Sequence, residues 1–143
     1  MITGIAHVAF RVTDLEAALD FYCTKLGFRE AFRLEREGEP SPWIVYVQVA
    51  PGCFLELFPG AAEVGPRPGA AAGYNHFSLR VDDMDATLRE LEGRGLSIDG
   101  GPTMGLDSNW QYWIADPDGN RIELMQIMPE SPQAAAEMQW QHV

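Results

Sequence analysis

The sequence predicts an α+β fold made of two tandem βαβββ modules whose strands form a curved mixed sheet around a metal cleft. Three observations carry that expectation. First, Gly4-Ile5-Ala6-His7-Val8-Ala9-Phe10-Arg11-Val12-Thr13-Asp14-Leu15 is echoed by Gly73-Tyr74-Asn75-His76-Phe77-Ser78-Leu79-Arg80-Val81-Asp82-Asp83-Met84, an offset of 69 residues from His7 to His76. Second, a Gly-x-x-(Leu/Ile)-Glu-Leu pattern closes each half, at Gly52–Leu57 and Gly119–Leu124, an offset of 67 residues from Glu56 to Glu123. Third, each half begins with the period-2 alternation of a half-buried strand and continues with helical spacing.

The elements follow in order. Residues 4–12 alternate, with Val8, Phe10 and Val12 on one face and His7, Ala9 and Arg11 on the other. Thr13-Asp14-Leu15-Glu16 reads as a capping box with Thr13 as N-cap. A helix to about Lys25 follows, its apolar stripe formed by Leu15, Ala18, Leu19, Tyr22 and Leu26, with Gly27 closing it. Strands are expected near 28–37, 42–50 and 52–58, with Pro51-Gly52 as a tight turn. The second half is expected to hold a strand at 74–81 and a helix at 83–92 capped by Asp82. Strands near 95–99, 108–116 and 120–127 follow, with Asp116-Pro117-Asp118-Gly119 as a type I turn.

The expected organisation is one domain over 1–127, comprising module 1 (1–59), a Gly/Ala/Pro-rich linker (60–72) and module 2 (73–127). The tail, 128–143, is expected to form a short helix with Pro132 in its first turn.

Bulk properties narrow the function classes. The chain of 143 residues is 46% apolar and 22% charged, an ordinary globular composition. Its net charge of −11 repels phosphate backbones and anionic bilayers, so neither nucleic acid nor a membrane is an expected partner. The N-terminal residues lack a signal-peptide pattern and no apolar run is long enough to span a bilayer, so a cytoplasmic location is expected. Cys23 and Cys53 each lie in an apolar segment outside any Cys-x-x-Cys pair and are expected to be buried, reduced thiols.

Alternation also decides where the reactive side chains point. Leu55 and Leu57 share one face of their strand, as do Ile122 and Leu124, which leaves Glu56 and Glu123 on the other. Each half therefore offers one His and one Glu on the sheet face away from its helix. His7, Glu56, His76 and Glu123 together suit one divalent ion of borderline hardness, Zn, Ni, Mn, Co or Fe. A six-coordinate ion would keep two positions for water or substrate. Arg11 and Arg80, four residues after each His, are candidates to neutralise an anionic substrate, Arg11 the stronger. Phe54 and Phe58 flank Glu56 on its own face and are candidate pocket walls. Trp110 and Tyr112 share a strand face and are candidate substrate contacts, while Trp113 lies on the other face and Trp43 opens a strand in the first half. His142 reads as a solvated tail residue.

These motifs resemble the vicinal oxygen chelate superfamily, which includes glyoxalase I, the bleomycin-resistance proteins and extradiol dioxygenases. The resemblance rests on His7 with Arg11, Phe21-Tyr22 before Leu26-Gly27-Phe28, Glu56, His76, and Asp116-Pro117-Asp118-Gly119-Asn120-Arg121-Ile122-Glu123-Leu124. Within the superfamily, the His, Glu, His, Glu set is similar to that of glyoxalase I. That resemblance implies a metal-dependent lyase or isomerase of lactoylglutathione lyase type, moving a proton next to a carbonyl through a metal-bound enediolate. It implies Glu123 as general base and Glu56 as its partner across the substrate. It also implies a homodimer, with the modules paired within one chain or across two. One departure is informative: the Asn that glyoxalase I usually carries four residues after the first Glu is Gly60 here, so a substrate other than the glutathione hemithioacetal is expected. The alternatives are an epimerase, an extradiol dioxygenase, or a non-catalytic drug- or metabolite-binding protein of the bleomycin-resistance type. Glu56 would occupy a position that a dioxygenase leaves open for substrate and oxygen.

Overall fold

The structure, a computed structural model, describes residues 2–65 and 72–140. It divides into two compact units, Met1–Gly69 with Asp116–Asp118, and Ala70–Ala115 with Gly119–Val143. Among the described residues no helix is long and apolar enough to cross a membrane. His142 and residues 66–71 of the expected linker lie outside the described residues.

The first unit runs β1 (His7–Arg11), α1 (Leu15–Leu19), β2 (Arg29–Leu34), β3 (Ile44–Ala50) and β4 (Cys53–Phe58). Its sheet has the order β1-β4-β3-β2, with β1 parallel to β4 and the other pairs antiparallel. The helix-facing side is apolar because alternate residues Val45, Val47, Leu55 and Leu57 meet Val12, Ala18, Phe21 and Tyr22 in the core.

Two local features differ from expectation. The N-cap of α1 is Asp14, whose Oδ1 accepts from Ala17 N–H at 3.0 Å. Thr13 is engaged elsewhere: its backbone N–H and hydroxyl both donate to Asp118, which belongs to the same unit. The helix also widens after Leu19 into a π-helical turn over Asp20–Lys25. The longer repeat of that turn brings adjacent Phe21 and Tyr22 onto the buried face, their rings in edge contact at 5.1 Å. Gly27, at φ +75°, ends the segment, and Phe28 N–H closes back on Tyr22 C=O at 3.0 Å.

The second unit runs β5 (Phe77–Arg80), α2 (Met84–Gly93), β6 (Thr103–Met104), β7 (Trp110–Ala115), β8 (Arg121–Gln126) and α3 (Pro132–Trp140). Its sheet, β5-β8-β7-β6, repeats the first topology strand for strand. The cap of α2 is Asp83, accepting from Ala86 N–H at 2.8 Å, one residue beyond the expected Asp82 and equivalent to Asp14 in the repeat. The tail helix forms as expected, with Ser131 Oγ accepting from Ala134 N–H.

The strand expected at 95–99 does not form. Asp99 N–H donates to the Tyr112 hydroxyl at 2.9 Å, and that hydroxyl donates to Asp99 C=O at 3.1 Å. A side chain thus satisfies the backbone groups that a ladder would have used. Gly100, at φ +76°, and Gly101-Pro102 then turn the chain, and pairing resumes only over Thr103–Met104.

Both cysteines are free thiols. Cys23 is half-buried, and burial pushes its thiol above the ordinary range. Cys53 is exposed, contrary to expectation, because it opens β4 at the Pro51-Gly52 turn where the sheet has no cover.

Candidate metal and substrate site

Each unit brings its His and Glu together on the sheet face opposite the helix. In the first, β1 and β4 are neighbours, and His7 Nε2 stands 3.5 Å from Glu56 Oε2. In the second, β5 and β8 are neighbours, and His76 Nε2 stands 3.4 Å from Glu123 Oε2. Both carboxylates are buried, at 7% and 5% exposure, although each lies on the polar face of its strand. Among the described residues no group of three or more His, Cys, Asp and Glu side chains comes together. Each unit thus supplies one His–Glu pair of the expected set.

The spacing within each pair is chemically informative. It is longer than a good N–H···O bond. Two donors each about 2.1 Å from one ion, set at angles between octahedral and tetrahedral, lie roughly 3.0–3.4 Å apart. His76 Nδ1 is 2.8 Å from Asn75 Oδ1, and in the tautomer in which Nδ1 donates to it the ring is fixed with Nε2 toward the carboxylate. In the neutral ring the Nε2 lone pair then faces a carboxylate oxygen, an arrangement that a cation between them relieves. The donor chemistry thus fits a divalent ion.

An aromatic residue completes each pair. Tyr46 stands directly across β3 and β4 from Glu56, and Trp113 stands across β7 and β8 from Glu123. The Tyr46 hydroxyl donates to Glu56, and this bond is the main reason its phenol is held above the ordinary range. Its ring stacks on Phe32 at 4.2 Å and meets Phe54 edge-on at 6.2 Å. Trp113 makes an edge contact with His76 at 4.7 Å, and the Arg121 guanidinium lies over the Trp113 ring at 4.2 Å from the centroid.

The remaining expected residues divide. Phe54 and Phe58 lie on the Glu56 face, with Phe58 edge-on to Trp43 at 6.0 Å. Arg11 is exposed on the His7 face at the end of β1. Arg80 is bound by Glu137 of α3 through two contacts of 3.1 Å. Trp110 and Tyr112 are corrected. They pair with Gln126 and Leu124, on the helix-facing side of the sheet opposite Glu123. Tyr112 is buried there and bonded to Asp99, while Trp110 lies beside Met84 and Pro102. The aromatic residue beside the second pair is Trp113.

Residue-by-residue reasoning passed over Tyr46, Asn75 and Arg121. A signal for Tyr46 was present: it and Trp113 are separated by the same 67 residues as Glu56 and Glu123.

With this geometry in view, the comparisons with known proteins agree. The model of the Glyoxalase/Bleomycin resistance protein/Dioxygenase superfamily matches residues 4–124. The chain belongs to that superfamily. It is 32% identical over 125 residues to the uncharacterized protein YaeR of Escherichia coli, covering 84% of this chain and 93% of that one. It is 28% identical over 130 residues to a probable lactoylglutathione lyase of Vibrio cholerae, covering 85% and 89%. A crystal structure of a superfamily member from Sphaerobacter thermophilus superposes with a TM-score of 0.63 at 32% identity, covering 88% of this chain and 98% of the other. Epimerase and dioxygenase homologues accompany the lyases.

Proposed function

We propose that this protein is a metal-dependent lyase or isomerase that moves a proton next to a substrate carbonyl, and that its site is assembled from both His–Glu pairs. The observation that carries the reading is the recurrence of one His–Glu pair per unit, at 3.5 and 3.4 Å, with both carboxylates buried. His7, Glu56, His76 and Glu123 would hold the ion. In the crossed arrangement of a homodimer, His7 and Glu56 of one chain would meet His76 and Glu123 of its partner. A homodimer then carries two equivalent sites.

The bound ion supplies Lewis-acid polarisation of the carbonyl, which acidifies the neighbouring C–H. The two carboxylates differ in how they are held. Glu56 accepts from the Tyr46 hydroxyl, which keeps it in place as a ligand. Trp113 brings no hydroxyl to the matching position across from Glu123. Glu123 is therefore the general base that takes the proton and returns it. Phe54 and Phe58 wall the substrate and exclude water from the exchanging proton. Gly60, at φ +87° beyond β4, offers no side chain to bind glutathione, which supports a substrate other than its hemithioacetal.

Mixed dimers test the assembly. His7→Ala and His76→Ala chains should each bind little Ni or Zn alone. Co-expressed and isolated as a heterodimer, they should recover one intact site of the two, read by metal analysis. No recovery would place each site within one chain. Failure of the unmutated protein to bind any of Zn, Ni, Mn, Co or Fe at about one ion per chain would sink the reading altogether.

A further inference from the structure

The second unit holds a cation that the proton-transfer reading does not use. Arg121 opens β8 two residues before Glu123, so alternation places it on the same sheet face. Ile122 and Leu124, the residues between and beyond, fill the opposite face at 0% and 2% exposure. The guanidinium carbon lies over the Trp113 ring, 4.2 Å from its centroid, and Trp113 in turn touches His76.

Two arginines rest over indole rings, Arg121 over Trp113 and Arg36 over Trp43, at 4.2 and 4.8 Å from the ring centroids. Arg33, Arg80 and Arg94 each pair with a glutamate, Lys25 pairs with Asp20, and Arg29 donates to Gln48. The chain has 21 acidic side chains against 10 basic ones, so a carboxylate partner for an exposed arginine is easy to supply. Arg121 is positioned instead by an aromatic face. Stacking engages the flat face of the guanidinium and leaves the N–H groups at its edge directed outward in the plane, the geometry that binds a carboxylate or phosphate through two parallel bonds.

The repeat provides an internal control. The position equivalent to Arg121 in the first unit is Phe54, at the same offset of 67 residues, and there a ring meets the matching aromatic, Tyr46. The site face of the second unit has thus acquired a charge where the first has an apolar contact. Duplication alone would not create that difference.

From these observations we infer that Arg121, oriented by Trp113, is an anion-recognition residue beside the His76–Glu123 pair, and that the ligand of this site carries a carboxylate. The inference rests on the proposed function only in regarding that face as the ligand face. A carboxylate there also serves selectivity, because a net charge of −11 otherwise repels anionic molecules.

Succinate and its dimethyl ester are suitable probes, titrated at fixed ionic strength into metal-free and Ni-loaded protein. The readout is the NMR signal of the Trp113 indole N–H, assigned with Trp113→Phe. Succinate should shift that signal saturably in both forms, and the uncharged diester should not. Arg121→Gln should raise the apparent Kd at least about tenfold, and Arg121→Lys should fall between, since it keeps the charge and loses the planar fork. An unchanged backbone spectrum and unchanged Ni content would show that Arg121→Gln is folded with its metal ligands intact. Equal shifts with the diester, or equal succinate affinity in folded Arg121→Gln, would overturn the inference. Absence of Ni binding by the unmutated protein would instead count against the proposed function, while the metal-free titration would still decide the role of Arg121.

Discussion

Tyr46 and Trp113 occupy the same position in the two repeats, each directly across an antiparallel strand pair from the glutamate of its unit. Only Tyr46 brings a hydroxyl to that position, and hydrogen bonding to Glu56 holds its phenol above the ordinary range. Two halves of common design are thereby given carboxylates of different freedom. Tyr46→Phe should keep the ring stack on Phe32 and remove the donor. Metal affinity should fall roughly 10-fold or more, as for other residues that orient a ligand, measured by competition with a chromophoric chelator. Unchanged affinity would mean that Glu56 needs no such support.

Substitution of the glutamates separates ligand from base. Glu123→Gln should abolish proton exchange at carbon, followed as deuterium uptake from heavy water by a methylglyoxal-derived or other α-hydroxycarbonyl substrate, with a smaller loss of metal affinity. Glu56→Gln should weaken metal binding at least as strongly as it slows exchange. The same pattern for both variants would remove the distinction drawn between them.

The helix caps give a stability test. Asp14→Ala and Asp83→Ala each delete a cap bond to a backbone N–H and should each cost about 1 kcal/mol in denaturant unfolding. Asp82→Ala should change stability by less than about 0.5 kcal/mol, since the cap is its neighbour.

Tyr22 is fully buried and its hydroxyl donates to Asp116 Oδ2 at 2.8 Å within the first unit. Tyr22→Phe deletes this buried bond to a carboxylate and should cost roughly 1–3 kcal/mol. A neutral result would mean that water or another group takes the place of the hydroxyl.

One pH effect has a definite sign. The Arg33 guanidinium, bonded to both Glu30 oxygens, holds the Glu30 carboxyl below its ordinary value. A carboxylate lowered in the folded state contributes stability above about pH 4.5, and that contribution is lost as the pH falls through the folded value. The pair is largely solvent-exposed, so the contribution is about 0.5 kcal/mol or less. The stability difference between the unmutated protein and Glu30→Gln should shrink between pH 6 and about pH 3.

What the sequence determined by itself was whatever depends on period and repetition. Alternation in β1, β4 and β8 was enough to place His7, Glu56 and Glu123 opposite the core, because a strand side chain can take only one of two faces. The matched offsets doubled that information and made the two modules legible. The superfamily pattern over residues 4–124 followed from the same positions. Tertiary structure decided what depends on competition between partners. Thr13 is an adequate N-cap in isolation, but Asp118 takes both of its donors and Asp14 caps α1 instead. Residues 95–99 have strand-like composition, yet Tyr112 satisfies Asp99 and no ladder forms. Alternation along β7 puts Tyr112 across from Leu124 and Trp113 across from Glu123. The fold brings each His to 3.5 or 3.4 Å from the Glu of its own unit. It also supplied what no spacing rule contains: a phenol bonded to one carboxylate, an amide fixing one imidazole, and a guanidinium stacked where the first repeat has Phe54. These are distances between residues far apart in the chain, and only the packing of strands from different parts of the sequence sets them.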